Sequence, residues 1–307
     1  MKPTYPHITP HLPNTAYWLM TFVIAVFGLA AHTLAGNATW NLNPISGDWS
    51  TAANWTPQTV PDPADIATFT TSNTTGITVS TYTAVGGISF TPGGSAFTFT
   101  APPTDVIEIG VFGVTNNSGV IQNFVATVDD EGNSGAIAFT GPGTAGTNTV
   151  FVAQARRANF GDAGDVEFDG FDASPSAGMA TIINEGGETD GSVGGRTRFF
   201  GFATAGDATI IANGGTVSGA GGATIEFVGP TSDGGNATLI ANGGSNGGDG
   251  GQILFDDNST GDTARVEVFG NGSLSFTLAD KDVSVGSLEG DGLVFLGQKS
   301  FTIARIT

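Results

Sequence analysis

Apolar and small polar residues alternate along most of this chain in short runs of period two, as half-buried strands require. Gly76-Ile77-Thr78-Val79, Gly87-Ile88-Ser89-Phe90, Phe97-Thr98-Phe99, Val106-Ile107-Glu108-Ile109 and Val111-Phe112-Gly113-Val114 are of this kind. Pro102-Pro103 marks a turn among them. From about residue 130 the pattern becomes a repeat. Ala180-Thr181-Ile182-Ile183 returns as Ala208-Thr209-Ile210-Ile211 and as Ala237-Thr238-Leu239-Ile240, followed by Gly186-Gly187, Gly214-Gly215 and Gly243-Gly244 respectively. A second element ends in Phe139, Phe168, Phe199, Phe227 and Phe255, at intervals of 29, 31, 28 and 28 residues. Thr181, Thr209 and Thr238 are spaced by 28 and 29. The two markers keep step.

A unit of about 28 residues with short strands and Gly turns predicts one coil of a right-handed parallel β-helix, an all-β solenoid. Coils stack at about 4.8 Å, so equivalent residues lie over one another and the five Phe form an internal ladder. A sandwich needs no such equivalence between strands, and propeller blades use about 40 residues each. The longer interval is absorbed in a turn near Glu188-Thr189-Asp190-Gly191. Three regions follow: a signal peptide over 1–36, an N-terminal β capping module over 37–105, and β-helix repeats over 106–307. The capping module holds Trp40, Trp49 and Trp55, whose indoles are expected to cover the end of the repetitive core.

Composition supports an all-β chain. Gly is 48 of 307 residues without a collagen period, and 39% hydrophobic content argues against disorder. The net charge of −19 repels phosphate backbones, so nucleic acid is not expected as a partner. Lys2, the apolar stretch Tyr17–Ala31 and the small-residue site Thr33-Leu34-Ala35 read as a cleaved export signal. The stretch of 15 residues falls short of the roughly 20 that span a bilayer, so the mature chain is not expected to insert into a membrane.

Export also removes chemistry. His7, His11 and His32 all precede the cleavage site, and cysteine is absent. The mature chain is left without a His base, a Cys nucleophile or an ordinary zinc site. Acidic candidates remain at Asp129-Asp130-Glu131 and at Asp162, Asp165, Glu167, Asp169 and Asp172. Asp beside Gly and Asn is favoured in turns, so a turn or a solvated face is the plainer account than paired acid and base. Arg156-Arg157, the sole adjacent basic pair, suits an acidic substrate or, more plainly, a salt link to the acidic turns. Gly247-Gly248-Asp249-Gly250-Gly251-Gln252-Ile253 approaches a calcium nonapeptide, but Gln252 stands where Asp belongs and the nine-residue period is not sustained. Asp256-Asp257-Asn258 is a weak cation candidate. No catalytic, cofactor or metal residue is assigned, and the chain is expected not to be an enzyme.

Gly47-Asp48-Trp49, Ala53-Asn54-Trp55 and Pro61-Asp62, the units beginning Ala177-Gly178 and Ala205-Gly206, and the segment Val285–Gly297 together resemble the bacterial autotransporter-associated β-strand repeat proteins. The resemblance covers nearly all of residues 37–300 and implies a β-helical passenger-like stalk, displayed at or released from the cell surface, with adhesive or scaffold roles. The sequence stops at Phe301–Thr307 without the membrane β-barrel pattern of a complete autotransporter, so the chain is expected to be either a fragment or simply secreted. The expected partner is a surface ligand or carbohydrate. A polysaccharide lyase or glycoside hydrolase on the same fold is the rival reading, marked by acids and Lys or Arg converging beside the parallel sheet.

Overall fold

Strands form where the period-two runs stand, and from Ile66–Phe69 onward they pair in parallel with the equivalent strand one coil away. The computed structural model describes residues 36–157 and 160–304, so the proposed signal peptide lies, but for Gly36, outside the described residues. One sheet of 12 strands runs from Trp55–Thr56 and Ala38–Trp40 at one end to Leu293–Phe295 at the other. A second sheet of 9 strands runs from Gly76–Thr78 to Ser287–Gly290. From Ile66–Phe69 onward the chain visits the two sheets in turn, and the neighbours within each sheet pair in parallel. The architecture is an all-β solenoid, a β-helix of about 8 turns. Both sheets pass residue 105 without interruption: Thr83–Phe90 pairs with Val106–Asn116, and Thr98–Ala101 with Gln122–Ala126.

The interior is built from columns. Phe139, Phe168, Phe199, Phe227 and Phe255 are direct register partners. Their rings stack at 4.8, 4.7, 4.7 and 4.7 Å, within 8° of parallel, and all five are fully buried. Burying one such ring contributes roughly 1.5–3 kcal/mol. Phe276 continues the column in a tilted contact at 5.8 Å. Beside it run Ile107, Ile137, Val166, Thr197, Ile225, Ile253 and Leu274, one per coil.

The second sheet carries its own aromatic column at the other end of the solenoid. Phe99, Phe124 and Phe151 stack at 4.8 and 4.7 Å and give way to Ile182, Ile210, Leu239 and Val266. Phe151 meets Phe139 edge to face at 5.6 Å, where the aromatic filling passes from one sheet to the other. Phe124 lies upstream of the clear repeat, and the intervals Phe99 to Phe124 and Phe124 to Phe151, 25 and 27 residues, fall short of the later period.

A third side turns each coil back by a recurring device. Thr144, Ser176, Thr204, Asp233 and Thr260 bridge in parallel, one residue per coil. The side-chain oxygen of each accepts the backbone N–H two residues on, at Gly146, Gly178, Gly206, Gly235 and Asp262, over 2.9 to 3.3 Å. These acceptor-following residues have φ of +84°, +60°, +61°, +53° and +50°. Gly adopts that conformation without steric cost, and Asp tolerates it better than most residues. The Gly of each Ala-Gly unit therefore serves the turn rather than the strand.

At the N-terminal end, Trp55–Thr56 joins the first sheet antiparallel to Ala38–Trp40. Trp40, Trp49 and Trp55 are buried with Phe69 in a cluster of ring contacts at 4.9 to 6.0 Å. Trp55 Nε1 donates to the Trp49 carbonyl at 2.8 Å.

Phe199→Ala should lower the unfolding free energy by about 3–5 kcal/mol by opening a hole in the column. Phe200→Ala, one residue along and facing outward, should cost about 1 kcal/mol. Denaturant unfolding followed by circular dichroism separates the two; equal losses would contradict the inward column.

Candidate functional site

Alternation along the strands sends one charged row to the outer face of the first sheet. Glu167, Arg198 and Glu226 are register partners there, with Asp165, Arg196 and Thr224 in the neighbouring row. The Asp165 carboxylate, nearly buried, accepts from Arg196 Nε at 3.2 Å and from Arg198 Nη2. Arg198 Nη2 also reaches Glu167 at 3.2 Å. Burial opposes the Arg198 charge, but the Asp165 and Glu167 carboxylates more than restore it and hold its pKa above the usual value. Burial pushes the Glu167 carboxyl up, with Arg198 countering only in part. Arg265 makes a second such chain with Glu267 and Glu289 at 3.1 and 2.8 Å.

Asp165, Glu167 and Asp169 thus stand on the strand Asp165–Gly170 and not in a turn. Asp129 does serve a turn, accepting the Glu131 and Asn133 N–H groups at 3.0 and 2.8 Å, with the Asn133 contacts drawing its pKa down. Arg156 departs from the expected salt link. Its Nη1 and Nη2 donate to the carbonyls of Gly161 and Gly191 at 2.8 and 2.6 Å, because those turns offer backbone oxygens closer than any carboxylate.

An aromatic ridge borders the charged face. Asp169 and Phe200 are register partners, and Phe200 stacks on Phe171 of the preceding coil at 6.1 Å and 20°. The Arg198 guanidinium sits 5.1 Å above the Phe200 ring. Phe171 is 64% exposed and Phe202 50%, a concentration of apolar surface that ordinarily marks a contact site. The adjacency Phe199-Phe200 carried the signal, since consecutive strand residues must face opposite ways.

A cavity of about 450 Å³ opens at the corner where the second sheet passes to the first. Gln154, Arg156 and Arg157 line it from one coil, Glu185 and Glu188 from the next, and Asp130 from the coil before. Thr189 Oγ1 donates to the Arg157 carbonyl at 3.3 Å and ties two of these turns together. Burial raises the Glu185 pKa, opposed by the Ala155 amide and Arg157.

Among the described residues no group of three or more His, Cys, Asp or Glu gathers as a metal site. In the calcium-like segment Gly247–Ile253, Gly248 lies so close to the Gly215 carbonyl that a Cβ would stand 2.2 Å from it. Coil-to-coil contact accounts for that glycine.

Asp256 is raised from 3.8 to about 6 by burial first, then by Glu226 and Asp257. The folded chain favours its protonated form, so this contribution is fully present below the unfolded value and is lost as pH rises through about 6. Asp256→Asn should therefore raise Tm above pH 6 and flatten its decline between pH 4 and 7, read by thermal melts across that range. A variant less stable than the parent at pH 7.5 would contradict the assignment.

No protein-family model matches the chain, and no curated protein or solved structure matches it either.

Proposed function

We propose that the chain is an exported structural and interaction protein, a right-handed β-helical stalk of the autotransporter-associated repeat kind that acts at the cell surface as an adhesive element. In this reading Trp40, Trp49 and Trp55 cap the N-terminal end, and residues 1–36 direct export. The observation that carries the proposal is the ridge of Phe171, Phe200 and Phe202. Rings of successive coils stand outside the core, on a rigid face, where they gain nothing from the interior. A stacked solenoid suits this role because its interior columns hold the outer side chains at a constant spacing.

The rival, a polysaccharide lyase or hydrolase, draws on the acids and arginines of the same face. There Arg196 and Arg198 are bound to Asp165, and Arg198 to Glu167, which satisfies the groups that chemistry would need free. The adhesive reading leaves those pairs intact.

The purified chain should bind bacterial cells or immobilised polysaccharide without releasing sugar products. The double variant Phe171→Ser/Phe202→Ser should lose most of that binding while keeping the parental Tm. Steady product release from acidic or neutral polysaccharides, abolished by Glu167→Gln, would replace this reading with the enzymatic one.

A further inference from the structure

The corner cavity is a place where the repeat changes. In the later coils the corner is filled by Gly-Gly pairs packed backbone to backbone: a Cβ on Gly186 would lie 2.0 Å from the Gly214 carbonyl, and one on Gly214 would lie 2.3 Å from the Gly244 nitrogen. The pairing of Ala153 with Asn184 puts Ala155 and Arg156 where the next coil has Gly186 and Gly187. The corner cannot close over side chains of that size. By the same register Gln154 and Glu185 precede Asn213 and Asn242, which bond amide to amide at 2.9 Å. The amide ladder ends where the cavity begins.

What lines the cavity is also unlike the rest of the surface. Elsewhere Arg196, Arg198 and Arg265 are each paired with carboxylates. Here two guanidinium groups and three carboxylates share one space, and among the described residues none of the five forms an ion pair with another. The Arg156 head is held by two carbonyls, while its Nε is buried without a hydrogen-bond partner. Held in this way, the Arg156 guanidinium places a fixed positive charge on the cavity wall.

We propose that this corner cavity binds a small zwitterion of the amino-acid or short-peptide class, its carboxylate against Arg156 and Arg157 and its ammonium against Glu185, Glu188 and Asp130. The volume falls in the range of small-molecule sites. A simple anion would meet three carboxylates, a metal cation would meet two guanidinium groups, and a neutral sugar would leave every charge uncompensated. A ligand with both charges a few bonds apart answers both walls at once. The raised Glu185 pKa agrees with a half-buried carboxyl whose charge Arg157 offsets only in part. This site is separate from the phenylalanine ridge and holds whether or not the adhesive reading does.

The test is isothermal titration calorimetry of the full chain with L-alanyl-L-glutamine and with its N-acetylated, C-amidated and doubly blocked forms. The free dipeptide should bind and raise Tm, each singly blocked form should bind about tenfold more weakly, and the doubly blocked form not at all. Arg157→Gln and Glu188→Gln should each weaken the free dipeptide by about tenfold, with Arg265→Gln, remote on another coil, leaving it unchanged. Equal binding of the doubly blocked form, no binding of any form at millimolar concentration, or insensitivity to both substitutions would overturn the proposal. The Tm of each variant without ligand, kept at the parental value, separates lost binding from lost folding.

Discussion

Every feature of this molecule depends on the parallel backbone ladder that joins each strand to its counterpart one coil away. That ladder sets adjacent rings 4.7–4.8 Å apart along the axis, and so places like positions directly over like positions. Inside, stacking like on like is favourable, and a column of near-parallel Phe rings or of Ile fills the space. Outside, the same rule would set equal charges on top of each other. In the row of Glu167, Arg198 and Glu226 the sign alternates instead, and where Glu267 and Glu289 do stack, Arg265 pairs with both. At Asp256, burial first and then the neighbouring Glu226 and Asp257 push the carboxyl up to about 6.

The interior must also balance its two sheets. A bulky column on one side leaves room only for smaller residues on the other, because protein interiors are close-packed. Past the N-terminal end, where Phe69 and Phe90 of the first sheet meet Phe99 of the second, Phe124 and Phe151 fill the second sheet and Phe139 to Phe255 the first, with the contact of Phe139 and Phe151 at the exchange. A polar pair interrupts this core: Thr197 donates to Asn184 at 2.8 Å, tying the two sheets together. The turns of the third side follow the same economy. One hydroxyl or carboxylate per coil satisfies one backbone N–H and holds the reversal.

A structure this regular makes its exceptions informative. The interval from Phe168 to Phe199 is 31 residues against 28 in the two that follow. Glu188 and Thr189, in the segment expected to take up the extra length, line the corner cavity. The stacked Phe171 and Phe200 flank that same coil at the ends of its first-sheet strands, so the aromatic ridge and the mixed-charge cavity border one irregular turn of the solenoid.

The period of the apolar markers by itself determined a solenoid of stacked coils, the inward ladder of five Phe and the alignment of Thr181, Thr209 and Thr238, because a parallel ladder turns sequence interval directly into register. The absence of cysteine and the position of the three histidines are equally properties of the sequence. Only the tertiary structure decided what Arg156 touches, since a guanidinium takes whichever acceptor the neighbouring coil presents, and that acceptor is a carbonyl. It likewise decided that Asp165 would lie between two arginines, and that Asp130, Arg157 and Glu188 would share one space. Those residues stand on three successive coils, and distance across coils depends on turn geometry that no interval along the chain encodes.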